Sequence, residues 1–346
     1  MATFPAGCLG AEIDVVVRIR IVRDERSWLA LEPQWDALLA ASGSDCFFLT
    51  WAWLRAWWET YRDDYDLLVL VAEDARGPCG IAPCVVTRDG RLEFMGTNAA
   101  WGEYPDLVVE RGRETPTADA LAAQLLEAGD GNAPLWRTAL FRFVRRDAVC
   151  APHLRRVFAR GGRVLAEQGA EFSPYATLPV SWHAYLAAHS ANFRSWITRN
   201  ENRLARLGPI RLLFAGRDIS LDEAFDRMAA LHAHRWGHPF EEKFGAFHRR
   251  LSDALLPLGR LVLVLLSVGD DVLAAKYDFA YRGKIWCYQG GWRRDLAEYR
   301  LGNVMLARLL QWAIDSGFSE YDFLAGDVPY KRRWSNACRE TVNLSC

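Results

Sequence analysis

Between residues 261 and 292 the runs "LVLVLLSV", "DVLAAKYDFAYR" and "KIWCYQGG" follow one another with only "GDD" and "RGK" at their junctions. Connections this short join only antiparallel neighbours, so the spacing predicts a three-stranded meander. After "WRRDLAEYRLG" the positions Val304, Leu306, Leu309, Leu310, Ala313 and Ile314 repeat with helical spacing, and Gly317 sits where a left-handed cap is wanted. A helix from Asn303 to Ser316 is expected. "YDFLAGDVPYKRRW" then begins as an apolar strand, Glu320 to Ala325, and breaks at Gly326 and Asp327 before a basic and aromatic cluster.

Upstream the chain alternates in the same mixed manner. A strand in "IDVVVRIRIV", a helix from Glu25 to Ala41, and a helix capped by Thr50 carrying Trp51, Trp53, Leu54, Trp57 and Trp58 are expected, followed by strands at "LLVLVAED" and "GIAPCVVTR". The near-helical spacing of the tryptophans points to packing rather than to ligand stacking. "GAEFSPYATLPVSW" interrupts the pattern with Gly, Pro and Ser, which places a domain boundary near 170–180. The division expected is an N-terminal unit over 1–175 and a C-terminal unit over 176–346, and 346 residues suit two domains. The second unit opens with two helices ending at Gly208, followed by a strand at "IRLLFAG", a helix from Leu221 to Trp236 and another around "FGAFHRRLSDALL". The fold class is mixed α/β (α+β), mostly antiparallel sheet flanked by helices.

The formal net charge of −1 provides no global field for nucleic acid or anionic lipid, so a polyanionic ligand has to meet a local patch. Arg199, Arg203 and Arg206 form one stripe on a predicted helix, readable as a solvated face or as a contact surface. Extensive nucleic-acid contact is not expected. The eight cysteines lack metal-ligand spacing and read as reduced thiols; the start of the chain shows no basic region ahead of an apolar stretch, and no apolar run approaches membrane length. A cytoplasmic protein without membrane contact is expected. "LHAHRWGHPFEEKF" holds His232, His234 and His238, but Gly237 and Pro239 interrupt the helix and no metal site is expected.

The strongest chemical candidate is the loop Tyr299, Arg300, Leu301, Gly302 and Asn303. It opens a helix, whose first N–H groups lack intrahelical partners and favour anions; Gly302 admits close backbone approach, and Arg293, Arg294 and Arg300 add charge. Asp322, inside an apolar strand, suits a buried hydrogen-bond acceptor, and Lys276 and Asp278 share one strand face and can pair. Lys331 stands out because the chain has only four lysines, Lys243, Lys276, Lys284 and Lys331.

Taken together, "YQGGWRRDLAEYRLGNVMLARLLQWAIDSGFSEYDFLAGDVPYKRRW" resembles the C-terminal signature of the GNAT superfamily of N-acyltransferases, in its CelD-like and FemAB-like branch. "CFFLTWAWLRAWWETY" with "GIAPCVV" resembles the first half of such proteins, and the likeness covers most of residues 30–336. It implies tandem GNAT-like lobes, of which the second keeps the donor site, and direct transfer of an acetyl or longer acyl group from a CoA thioester to an amine of a sugar, amino acid or peptide. Under that reading Gln289, Tyr299, Arg300, Leu301, Gly302 and Asn303 hold the acyl-CoA, and no metal takes part. Asp327 helps deprotonate the amine, Tyr330 protonates the departing thiolate, and Lys331 holds an anionic substrate group. His232, Arg235, Trp236 and Asp322 face the acceptor. The loop has Gly302 but no second glycine, a departure that leaves open a catalytically silent accessory or binding protein in polysaccharide biosynthesis, and the FemAB-like resemblance also permits a transferase using acyl carrier protein or aminoacyl-tRNA as donor.

Overall fold

The computed structural model describes residues 17–44, 46–130, 133–149 and 151–346; residues 13–16 of the expected first strand lie outside them. The N-terminal half runs β1 (Arg18–Val22), α1 (Glu25–Leu29), α2 (Glu32–Ala41), α3 (Trp51–Tyr61), β2 (Tyr65–Asp74), β3 (Gly77–Thr87), β4 (Arg91–Phe94) and β5 (Val108–Val109). It continues with α4 (Glu114–Glu127), a small hairpin of β6 (Gly129–Asp130) and β7 (Ala133–Pro134), β8 (Thr138–Arg145) and α5 (Ala151–Arg160). β9 (Ala166–Thr177), α6 (Trp182–Ala187) and α7 (Ala191–Ala205) lead to β10 (Ile210–Phe214), α8 (Leu221–Trp236) and α9 (Glu242–Leu255). The chain ends with β11 (Leu261–Val268), β12 (Asp271–Tyr281), β13 (Lys284–Trp292), α10 (Leu301–Asp315), β14 (Glu320–Asp322), α11 (Pro329–Trp334) and β15 (Ala337–Ser345).

Among the described residues one sheet carries the order β1-β2-β3-β4-β8-β15-β9-β14-β13-β12-β11-β10, with β5 beside β3. The expected meander is its C-terminal end: β11 pairs antiparallel with β12, and β12 with β13. The boundary expected near 170–180 falls largely within β9, and β15 pairs antiparallel with both β8 and β9, so the sheet continues across that point.

Two departures from the expected elements have local causes. The helix expected over Glu25–Ala41 is two helices, because Pro33 near the start of α2 has no N–H to donate and its ring would collide with the preceding turn. The strand expected over Glu320–Ala325 stops at Asp322, because Leu324 takes a left-handed φ of 60° that no strand accommodates. Thr50 does precede α3, but its hydroxyl finds no partner; the N–H of Trp51 donates instead to Asp36 Oδ1 at 2.9 Å.

Alternation along the strands sorts the core. On β12, Ala275, Tyr277 and Phe279 join an aromatic cluster with the α3 tryptophans, α8 and α9, in which Phe47 stacks on Phe279 with centroids 4.4 Å apart. Trp53 and Trp57 are fully buried there, so the tryptophan helix packs the two halves onto one core. On the opposite face α10 buries Leu301, Val304, Leu309, Leu310 and Ile314 against β12, β13 and α7. Lys276 and Asp278 belong to that second face by parity.

α8 lies directly on β13. A Cβ on Gly291 would stand 2.2–2.4 Å from the backbone of Leu231 and His232, where neither partner can yield. Gly291→Ala is therefore expected to destabilise the protein by at least about 2 kcal/mol through overpacking, measured as a lower urea midpoint with unchanged m.

Candidate active site

β13 and β14 run parallel only from Lys284↔Glu320 to Trp286↔Asp322. Beyond that register β13 continues to Trp292 while the other arm turns away through Phe323 to Gly326, so the strands part. Between β12, β13, the loop before α10 and α11 lies a cavity of about 380 Å³. Its wall is mostly apolar, with Ala274, Ala275, Gly290, Gly291, Trp292, Met305 and Leu306, and it also carries Lys276, Cys287, Arg235 and Tyr330.

The N-terminus of α10 opens on this cavity through Arg300, Leu301, Gly302 and Asn303. Arg300 is left-handed (φ 54°) and no side chain caps the first turn. The N–H groups of Asn303 and Val304 return to Arg300 O at 2.8 and 3.2 Å. A Cβ on Gly302 would meet the Trp292 ring at 3.4 Å, so glycine keeps space open beside the helix start. Arg235 is held across the wall, with its guanidinium 3.9 Å from the Trp292 ring centroid and 4.4 Å from that of Trp236, and it donates to Gly290 O at 3.1 Å. Burial holds Arg235 below its ordinary pKa, an effect that Tyr330 opposes.

A polar network lies below. Lys276 Nζ is 2.8 Å from Cys287 Sγ and 3.4 Å from Asp278 Oδ1. Asp278 also accepts from the Tyr288 N–H at 3.1 Å and from the Tyr321 hydroxyl at 2.5 Å. Burial works against the Lys276 charge, but Asp278 overrides it and keeps the ammonium above its ordinary pKa.

The N-terminal half reaches the parting through residues 100–104. Ala100 O accepts from Tyr288 OH, both Glu103 oxygens accept from the Ala325 N–H at 2.8 and 2.9 Å, and Tyr104 OH donates to Asp322 Oδ1 at 3.1 Å. Lys331 closes the same segment from the other side, donating to the carbonyls of Leu324 and Ala325. Burial pushes the Glu103 carboxyl up to about 8 and Lys331 down.

Of the residues expected from sequence, Arg300, Leu301, Gly302, Asn303, Arg235 and Tyr330 line the cavity together. The others stand off its wall. Tyr299 lies under the Arg203 guanidinium, Gln289 is part-buried on β13, and Asp327 forms a close two-point pair with Arg332. Asp322 is fully buried, with Arg339 at 2.8 Å and the Leu324 N–H at 2.8 Å besides Tyr104, and burial pushes it up to about 6. His232 is buried against Phe240 with ring centroids 4.1 Å apart, its Nδ1 has no partner, and burial pushes it down to about 4; Trp236 is 51% exposed. The expected Lys276–Asp278 pair forms. Sequence reasoning gave Cys287 and Glu103 no part. Glu103 acts on a residue 222 positions away and carried no local signal, whereas Cys287 could have been found opposite Asp278 from the register of the tight turn between β12 and β13.

Residues 191–332 match the family model described as an acetyltransferase (GNAT) domain. That segment is similar to a GNAT acetyltransferase domain. The matched segment holds the cavity and both parting strands. The solved structure titled FemX superposes with a TM-score of 0.63 at 12% identity, covering 90% of this chain and 95% of its own. A tandem GNAT protein from the clavulanic acid biosynthesis pathway gives 0.55 at 12% identity over 96% and 98%. The C-terminal domain of a putative lysylphosphatidylglycerol synthetase from Agrobacterium fabrum gives 0.56 at 10% identity over 92% and 91%. At these identities the likeness is one of fold, and the mixed α/β class expected from the sequence, a mostly antiparallel sheet flanked by helices, is the one observed. No curated protein matches the chain. Among the described residues no helix is long and apolar enough to cross a membrane, and no cluster of His, Cys, Asp and Glu is arranged to hold a metal ion.

Because Glu103 is raised from an ordinary 4.5 to about 8, the folded state retains its proton where the unfolded chain has lost it. Its contribution to stability is complete below pH 4.5 and is lost as pH rises toward 8. Glu103→Gln keeps an acceptor for the Ala325 N–H and removes the titration. Its stability relative to wild type is expected to climb between pH 5 and 8 and to level off above, as followed by urea melts across that range.

Proposed function

We propose that the protein transfers an acyl group from a CoA thioester to an amine of a sugar, amino acid or peptide by direct attack, as a member of the CelD-like and FemAB-like branch with lobes dividing near residue 175. One observation carries the reading: the uncapped start of α10 and the stretch of β13 beyond its pairing with β14 line the same cavity. Anion-seeking N–H groups and an apolar, water-poor slot beside a free strand edge are what a charged carrier with a short acyl arm requires.

The residues present fit such a donor. Leu301 and Gly302 would hold phosphate oxygens through backbone N–H groups, with Asn303 beside them, Arg300 adding charge, and Gln289 and Tyr299 flanking. The thioester supplies the activated carbonyl, and the protein aligns the amine with it and manages two protons. Tyr330 is 38% exposed overall but lines the cavity, where desolvation pushes its hydroxyl up against opposition from Lys276 and Arg235, so it keeps a proton to give to the leaving sulfur. Arg235 and Trp236, at the outer end of α8, are assigned to the acceptor, with His232 packed beneath them. Asp322, Asp327 and Lys331 serve by holding the segment after β14 in place, and Glu103 positions the same segment from the other half.

A carrier-borne donor is the second reading. Arg199, Arg203, Arg206, Arg300 and Arg333 are exposed, Arg203 donates to Glu298 O beside the donor loop, and Arg199 and Arg333 share a groove with Trp196. An acidic carrier protein bearing the acyl arm would meet this rim.

Gly302→Val is expected to weaken acetyl-CoA binding at least about tenfold by filling the space before Trp292; unchanged affinity in calorimetry would move the phosphate site elsewhere. Tyr330→Phe is expected to lower turnover about 100-fold while leaving CoA affinity unchanged, and wild-type turnover would remove Tyr330 from the proton path.

A further inference from the structure

Lys276 is a part-buried cation, its side chain 16% exposed, on a mostly apolar wall, and direct transfer as set out above gives it nothing to do. An ammonium placed among Ala274, Ala275, Gly290, Met305 and Leu306 is costly unless its charge and its three N–H donors are met. Cys287 Sγ, at 2.8 Å, takes one. Asp278 Oδ1, at 3.4 Å, supplies the counter-charge, but that carboxylate is shared with the Tyr288 N–H and the Tyr321 hydroxyl. No further acceptor for Lys276 occurs among the described residues. The side chain itself lines the cavity beside Cys287 and Tyr330. A desolvated ammonium, fixed at two corners and open toward a ligand space, is an electrostatic group set in place before any substrate arrives.

We propose that Lys276 is a catalytic residue, donating from Nζ to the carbonyl oxygen of the acyl thioester and stabilising the negative charge that gathers there during transfer, with Cys287 and Asp278 as its positioning partners. The proposal rests on the acyl-transfer reading. As the amine lone pair forms the new C–N bond, the carbonyl π pair moves onto oxygen against Lys276. When that pair returns, the C–S bond breaks, sulfur takes the Tyr330 proton, and the nitrogen gives its extra proton to water, which restores Tyr330. Lys276 stays protonated throughout. Its work is done by a charge close to the oxygen in a site poor in water, where a single such donor is worth about 100-fold to 1,000-fold in rate.

The decisive measurement is infrared difference spectroscopy of acetyl-CoA bound to the full-length protein, with the carbonyl carbon isotopically labelled. The bound carbonyl stretch is expected to fall below that of free acetyl-CoA in wild type, and to return to the free value in a Lys276→Met/Asp278→Asn double variant. That variant removes both charges together and so leaves no unpaired buried ion. In single-turnover transfer to hydroxylamine it is expected to be at least about 100-fold slower, with acetyl-CoA affinity within threefold of wild type. An unshifted carbonyl in wild type overturns the proposal by itself, whether or not the double variant folds. A folded double variant with wild-type rate overturns it equally. Failure of wild type to bind acetyl-CoA at all overturns the acyl-transfer reading and this proposal with it.

Discussion

Two parallel strands that cease to pair leave backbone donors and acceptors without the partners a sheet would give them, and the region around the cavity is organised by that deficit. An unmet buried backbone group costs about 1–3 kcal/mol, so a break between β13 and β14 persists only where side chains replace the ladder. On the β13 arm, Asp278 accepts from the bulged Tyr288 N–H and Arg235 donates to Gly290 O. On the other arm, Lys331 takes the carbonyls of Leu324 and Ala325, Glu103 accepts from the Ala325 N–H, and Asp322 accepts from Leu324 N–H. The buried charges near the cavity are thus first of all substitutes for strand hydrogen bonds, and the slot they hold open exists because they do so.

The N-terminal half is part of this arrangement. Residues 100–104 bridge the parting, from Tyr288 on one strand to Ala325 beyond the other, with Trp101 and Tyr104 both left-handed. Such backbone costs of order 1–3 kcal/mol per residue and needs firm surroundings. The surroundings come from the shared aromatic core, where Phe47 stacks on Phe279 and Tyr104 packs against Trp286 at 5.8 Å. The tryptophan helix, the bridging loop and the catalytic-side strands therefore depend on one another, and a separated C-terminal half would lose the Glu103 contact that fixes Ala325.

Local periodicity carried much of this in the sequence. The meander, α8 from Leu221 to Trp236, and α10 with its cap at Gly317 follow from apolar spacing and short turns, and the cavity-lining residues from Arg300 to Asn303 follow from that helix start. Less legible was whatever a distant residue decides. Asp36 meets the Trp51 N–H in place of Thr50, Leu324 ends β14 three residues early, and β15 has no local signal because "ACRETVNLS" gains strand character only by pairing with β8 and β9. Pro33 is the exception, a local signal whose weight was set too low against the flanking periodicity.

Lys276 and Lys331 show where sequence scarcity stops being informative and geometry takes over. Both are rare residues beside a carboxylate, Lys331 buried and Lys276 part-buried. Lys331 directs its ammonium at two backbone carbonyls and lies off the cavity wall, and its carboxylate neighbour Glu103 is itself pushed toward the neutral form by burial, so its charge is the weaker of the two. Lys276 stands on the wall, held by a thiol and by a carboxylate already engaged by two other donors, and its charge is reinforced. An ammonium aimed at main chain fixes a loop, whereas one fixed by side chains and facing open space can act on what enters that space.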